Sequence, residues 1–186
     1  KAVSLLIAPH NDDEALFASY IILRYRPLVV VVTDSYKQAK RGQDITWQQR
    51  RIETTEAMRI LGAAVMFLGI PDDELTYPSC LVALKGVYWK VPTTSRLPAC
   101  VFAPACQGGN AEHDLISNVC SEIWEPILYA TYAKDEWFTP IEGMAIHQTE
   151  VEAASKRKAL ACYKIQHFQP HFKAVEGQPE YLSRLP

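Results

Sequence analysis

Little in this sequence points to a polyanion or a membrane. Lysine and arginine number 19 against 21 aspartates and glutamates, a net charge of −2, so neither sign is in surplus to hold nucleic acid or to keep an acidic tail solvated. No basic patch interleaved with aromatic residues occurs, so nucleic acid is not an expected partner. Long hydrophobic runs are absent too: "SLLIAP" and "LVVVVT" fall far short of the ~20 residues that span a bilayer. Cysteine is scarce, with five residues (Cys80, Cys100, Cys106, Cys120 and Cys162) and no Cys-x-x-Cys, which excludes a disulfide framework or a zinc ribbon. Free, buried thiols in a reducing compartment are expected, hence a cytoplasmic protein. No signal peptide is visible, although the chain begins at Lys1 and a removed segment stays open. Repeats and low-complexity tracts are missing as well, and oligomeric state is left open, a homo-oligomer included.

What is there reads as one globular domain. The 186 residues are 48% hydrophobic and 22% charged, enough for a single sizeable core over residues 1–186. Short apolar runs at 2–8, 28–33, 64–69, 99–105 and 126–133 alternate with helical patterns at 13–25, 46–62, 112–125 and 151–166. Thr46 is a natural N-cap and Gly62 a helix stop. Strands that are apolar throughout and separated by helices predict an α/β fold, a Rossmann-like three-layer sandwich with a mostly parallel sheet. Residues 71–98 read as irregular, a candidate substrate flap, and 167–186 as a tail wrapping the surface.

The chemistry collects at two places. The first strand runs into "APHNDDE", with His10, Asp12, Asp13 and Glu14 in five residues, and the fourth into "APACQGGNAEHD" with His113. In doubly wound sheets ligands bind beyond the carboxyl ends of the strands, where strand order reverses. If strands one and four flank that point, His10, Asp13 and His113 converge. Two imidazoles and a carboxylate leave a coordination position open, the composition of a catalytic zinc site. A metal there would acidify a water, and Asp12 is the neighbouring carboxylate able to accept its proton. Each residue also has an ordinary reading: Asp12 or Asp13 as a helix cap, His10 or His113 as a hydrogen-bonding loop histidine.

"APHNDDE" resembles the "PHPDDE" signature of the LmbE-like, or PIG-L, family of zinc-dependent N-acetylglucosaminyl deacetylases. "RRIETTEAMRILGAAVMFLGIPDDEL", "GGNAEHD" and "KRKALACYKIQ" resemble three further family patterns in the right order, so the likeness spans residues 3–166. The resemblance implies that His10, Asp13 and His113 bind Zn2+ and that Asp12 is the general base. It implies that Arg50 orients or binds substrate, with Glu53 supporting it, and that Asp72 contacts sugar hydroxyls. Arg50 with Glu53 as a surface pair, and Asp72 as a turn residue, are the ordinary alternatives. The implied reaction removes an N-acetyl or other N-acyl group from a small amino-sugar conjugate. Tyr77, Tyr88, Trp89 and Trp137 are candidates for lining the sugar pocket.

Three departures bear on that reading. Asn11 stands where the family has proline, and Asn110 where it has the first histidine of "HxDH", thought to stabilise the oxyanion and protonate the leaving amine. An asparagine amide donates a hydrogen bond but delivers no proton. Glu112 replaces the aspartate that would orient that histidine. Asp12 could act as both base and acid, or His147, His167 or His171 could reach in, with His147 preferred. Cys106 is expected to be a buried small hydrophobe, and "QGG" (107–109) to permit close backbone approach to a ligand. Rival readings are a relative that binds metal and ligand without turnover, an amidase on a thiol conjugate, and a receiver-like phosphoacceptor built on Asp12, Asp13, Asp72 and Lys134 with Mg2+.

Overall fold

The computed structural model describes residues 2–34, 46–90, 98–134, 136, 138–164 and 170–184. Among them one sheet runs through β1 (Leu5–Ala8), β2 (Leu28–Thr33), β3 (Val65–Ile70), β4 (Val101–Pro104), β5 (Ile127–Tyr129), β6 (Met144–Ile146) and β7 (Glu180–Leu182). Their spatial order is β3-β2-β1-β4-β5-β7-β6. The pairings from β3 to β5 are parallel, and β7 is antiparallel to both β5 and β6. The helices are α1 (Asp13–Phe17), α2 (Ser19–Tyr25), α3 (Trp47–Leu61), α4 (Tyr77–Lys90), α5 (Ala111–Ile123), α6 (Glu150–Leu160) and α7 (Pro170–Val175).

Side chains alternate across the pleat, so apolar strands feed two cores. Leu6, Ala8, Val29 and Val31 face a cluster with Phe17, Ile21, Met58, Leu61 and Leu160. Leu5, Ile7, Val30 and Val32 face the other way, onto Leu84 and Val87 of α4 and Ile116 and Val119 of α5. Both faces are thus covered, the three-layer α/β sandwich expected. Thr46 and Gln49 form a reciprocal cap at the start of α3, and Gly62 ends it in the left-handed region at φ 72°.

Three expectations are corrected. The helix over 13–25 is two helices, because Ala18 leaves helical geometry at φ −136°. The carboxylate of Glu180, from β7, accepts the amides of Tyr20 and Ile21 at 2.9 and 3.1 Å and starts α2 afresh. Residues 77–90, within the stretch read as irregular, form α4. Pro78 reads as a breaker but sits in the first turn, where no intrahelical bond is lost, while Cys80, Leu84 and Val87 face the core. Finally, the tail does not only wrap the surface: α7 packs Phe172 and Val175 into the core, and β7 enters the sheet between β5 and β6.

β1 lies between β2 and β4, and the chain leaves β3 at one edge to re-enter as β4 on the opposite side of β1. The carboxyl ends of β1 and β4 therefore open a crevice at the point where strand order reverses.

Candidate metal and catalytic site

One wall of that crevice is the turn from β1 into α1. Asp12 occupies the N-cap position of α1, but its side chain makes no capping hydrogen bond and its backbone lies at φ 143°, unusual for a residue with a Cβ. Such a conformation costs on the order of 1–3 kcal/mol and persists only when surroundings over-determine it. They do so here. The Asp12 amide donates to Glu14 Oε2 at 3.1 Å, and its carbonyl accepts from the amides of Ala15 and Leu16 at 2.9 Å. The Thr33 amide and hydroxyl both donate to the carbonyl of Pro9 at 3.0 Å. Arg50, 1% exposed, donates from Nη2 to the carbonyl of Asn11 and places the same nitrogen 3.4 Å from Asp12 Oδ2. Asn11 is fully buried, and among the described residues neither polar atom of its side chain finds a hydrogen-bond partner.

The other wall is the loop from β4 into α5. Asn110 caps α5, its Oδ1 accepting the Glu112 amide at 2.8 Å. Asp114 folds the preceding loop onto the helix by accepting the amides of Gln107 and Gly108 at 2.9 and 3.2 Å. Gln107 ties it to the segment that follows β5, Oε1 accepting the Thr131 amide and Nε2 donating to the Thr139 carbonyl, both at 2.7 Å. A Cβ at Gly109 would fall 2.2 Å from the Tyr132 carbonyl oxygen. The close approach that glycine permits here is therefore to Tyr132.

Between the walls three donor groups meet. Asp13 Oδ2 lies 2.9 Å from His10 Nδ1 and 3.1 Å from His113 Nε2, and the two ring nitrogens are 3.2 Å apart. Ligand atoms held at zinc bond lengths on one tetrahedral ion stand roughly 3.3 Å apart, so two nitrogens and one oxygen at these separations suit such an ion. His113 Nδ1 is buried and, among the described residues, has no hydrogen-bond partner. His10 Nε2 is hydrogen-bonded to Glu112 Oε2, which leaves Nδ1 as the nitrogen facing the cluster. A carboxylate behind a ligating imidazole fixes its tautomer and orientation.

The electrostatics favour a cation. Burial pulls His10 down, yet Asp13 and Glu112 outweigh it and raise the imidazole to about 10. Burial would lift Asp13, but His113 and His10 hold it far below the usual carboxylate range. Glu14 goes the other way: burial, opposed by the Tyr163 hydroxyl and reinforced by Asp12, pushes it up to about 8. Glu14 is thus pushed toward its protonated form beside the Asp12 and Asp13 carboxyl groups.

The structure brings together His10, Asp12, Asp13, Asn110 and His113, with Arg50 behind Asp12. Asp72 is buried just past the end of β3, on the same carboxyl side of the sheet. Other candidates fall elsewhere. His147 is exposed at the end of β6, with β5 and β7 between it and β4, and its carbonyl accepts from Arg24. Tyr77 hydrogen-bonds Glu122, at the far end of α5 from His113. Cys106 is exposed, correcting the expectation of a buried thiol. His167 and Trp137, and the side chains of Tyr88, Trp89 and His171, lie outside the described residues. Glu112 is at His10, where the sequence suggested a partner for residue 110. Tyr132 was missed altogether. It follows β5 with no motif around it, yet its ring centroid is 5.1 Å from that of His113 and its hydroxyl 3.0 Å from Asn110 Nδ2.

A doubly wound sheet with a His-Asp-His cluster and a buried carboxylate at its switch point has the donor set of a metal-assisted hydrolytic site. The chain belongs to the PIG-L family, described as GlcNAc-PI de-N-acetylase, which it matches over residues 5–124. Both walls lie inside that stretch, and the late helix α6 lies beyond it. Among curated proteins none matches the sequence. Similar solved structures include the conserved protein TT1542 from Thermus thermophilus, 21% identical at a TM-score of 0.72 over 98% of this chain and 94% of that one. The N,N'-diacetylchitobiose deacetylase of Pyrococcus horikoshii is 19% identical at a TM-score of 0.64, covering 97% and 82%. GalB, the 4-carboxy-2-hydroxymuconate hydratase of Pseudomonas putida KT2440, is 19% identical at a TM-score of 0.70, covering 98% and 95%. At these identities the likeness is one of fold, and a hydratase among them shows that the fold alone does not fix the reaction. Among the described residues no helix is long and apolar enough to cross a membrane.

Proposed function

We propose that this protein hydrolyses the N-acetyl group, or another short N-acyl group, of an amino-sugar conjugate, with zinc held by His10, Asp13 and His113 and Asp12 as general base. The observation that carries the reading is the convergence of three ligand atoms next to a buried carboxylate that does not cap its helix. When bound, the ion supplies Lewis-acid polarisation of the carbonyl and a lowered pKa for a water. Asp12 accepts that water's proton, and Arg50, 3.4 Å away, pairs with it and aims it. The water oxygen bonds to the carbonyl carbon, the C–N bond then breaks with its electron pair on nitrogen, and Asp12 returns the proton there. Asn110 has no proton to give, so Asp12 serves as both base and acid. In this reading Asp72, past the end of β3, contacts a sugar hydroxyl.

The sugar reading is supported by the family description and by neighbours that act on acetylated sugars, as the Pyrococcus enzyme's name states. The zinc reading is supported by the donor set; a neighbour, teicoplanin deacetylase Orf2, solved in a zinc-inhibited form, supports metal binding by this fold. We place the protein in the cytoplasm because its cysteines are free. Acetate release from a panel of N-acetylglucosamine conjugates tests the reading. Turnover that falls 100-fold or more in Asp12→Asn is the expected result for a general base. Bound zinc with no acetate from any conjugate would instead support the rival in which Asn110 marks a binder without turnover. Release from thiol-linked amides alone would move the substrate class.

A further inference from the structure

By its resemblance to the family pattern, Asn110 stands in the place of a histidine implied to face the reacting carbonyl, and the Tyr132 phenol lies against it. The orientation of the Asn110 amide is fixed by its neighbours. The Glu112 backbone N–H, which can only donate, meets one terminal atom of Asn110 at 2.8 Å, so that atom is the oxygen. The other terminal atom is then the NH2, which also can only donate, and it meets Tyr132 Oη at 3.0 Å. Tyr132 Oη is therefore an acceptor in that contact, and its own hydrogen points elsewhere. Among the described residues no group accepts it.

The placement of this hydroxyl is built. Tyr132 packs its ring 5.1 Å from His113 and 5.8 Å from Phe17, centroid to centroid. The loop carrying Asn110 is pressed onto the Tyr132 backbone at Gly109 and pinned on either side through Gln107. A phenol, which ordinarily titrates near 10, carries its proton at neutral pH and can donate it in a hydrogen bond. A preorganised neutral donor beside a ligand imidazole is what a developing oxyanion requires.

We propose that the Tyr132 hydroxyl donates a hydrogen bond to the oxyanion of the tetrahedral adduct, taking over one of the two tasks of the histidine that Asn110 replaces. This deepens the deacetylase reading and rests on it. The other task, protonation of the leaving nitrogen, stays with Asp12, so no proton leaves Tyr132 and none has to be restored. Asn110 holds the phenol in place through its NH2.

The test compares zinc-loaded wild type and Tyr132→Phe in two readouts: steady-state acetate release, and calorimetric titration with methylphosphonate, a tetrahedral anion of the adduct's size. Tyr132→Phe is expected to lower kcat tenfold or more with KM within about twofold, and to weaken methylphosphonate about tenfold, the size of a lost hydrogen bond to a charged group. Zinc stoichiometry is expected to stay the same, and Asn110→His in the Tyr132→Phe background to recover part of kcat. Methylphosphonate affinity within twofold of wild type would overturn the proposal. So would a loss of zinc in Tyr132→Phe, which would make the ring a packing support for His113. If wild type released no acetate but methylphosphonate still weakened in Tyr132→Phe, the deacetylase reading would fail and the anion donor would stand.

Discussion

The carboxylate of Asp12 and the guanidinium of Arg50 form a buried pair, Nη2 to Oδ2 at 3.4 Å, with the same nitrogen bound to the carbonyl of Asn11. Arg50 therefore holds both the backbone of the strained turn and the side chain of the proposed base. Arg50→Lys keeps a cation but cannot serve two acceptors through one planar group. It is expected to lower kcat about tenfold or more while zinc content stays at the wild-type level. Unchanged kcat would show that Asp12 needs no such positioning.

Glu112 reaches His10 from the opposite wall and sets which imidazole nitrogen faces the cluster. Outer partners of metal-ligating histidines contribute about 10–100-fold in metal affinity. Glu112→Gln, titrated with zinc against a competing chelator, is expected to bind within that range more weakly than wild type. Equal affinity would remove Glu112 from the metal site.

Lys156 and Glu180 are each 1% exposed and 3.0 Å apart, and Glu180 also accepts the two amides that begin α2. Removing one partner strands a buried charge. Lys156→Met is expected to cost about 3 kcal/mol in urea unfolding. A cost below about 1 kcal/mol would mean that Glu180 takes a proton when its partner is gone.

Arg24 grips Glu152 with two nitrogens, at 2.7 and 2.9 Å, and this hydrogen bonding outweighs partial burial to lower Glu152 from 4.5 to about 2. The unfolded carboxylate protonates first on acidification. The pair's contribution is therefore complete above pH 4.5 and is lost as pH falls toward 2. Glu152→Gln is expected to flatten the stability profile across that window and to cost about 1 kcal/mol or less at neutral pH. An identical profile in wild type and variant would show that the pair adds nothing.

Much of this was legible in the residues because its physics is local. Uniformly apolar strands, the Thr46 cap and the Gly62 stop are set within a few residues, and α3 and β2 lie where they were expected. The cluster of His10, Asp13 and His113 was legible because the α/β alternation brings the ends of β1 and β4 together at the switch point. Other features depend on partners distant in sequence. The break at Ala18 is imposed by Glu180, and α4 was hidden by a proline that its first turn tolerates. Tyr132 sits beside Asn110 only because β5 pairs with β4. A lone tyrosine after a strand carries no local sign of that neighbour.

The most direct test is the zinc content of the purified protein, by elemental analysis, alongside Asp13→Ala and His113→Ala. About one zinc per chain in wild type, lost from both variants while their circular dichroism stays native, is the result this account predicts. Folded wild-type protein that takes up no zinc, or variants that hold it as well as wild type, would contradict it.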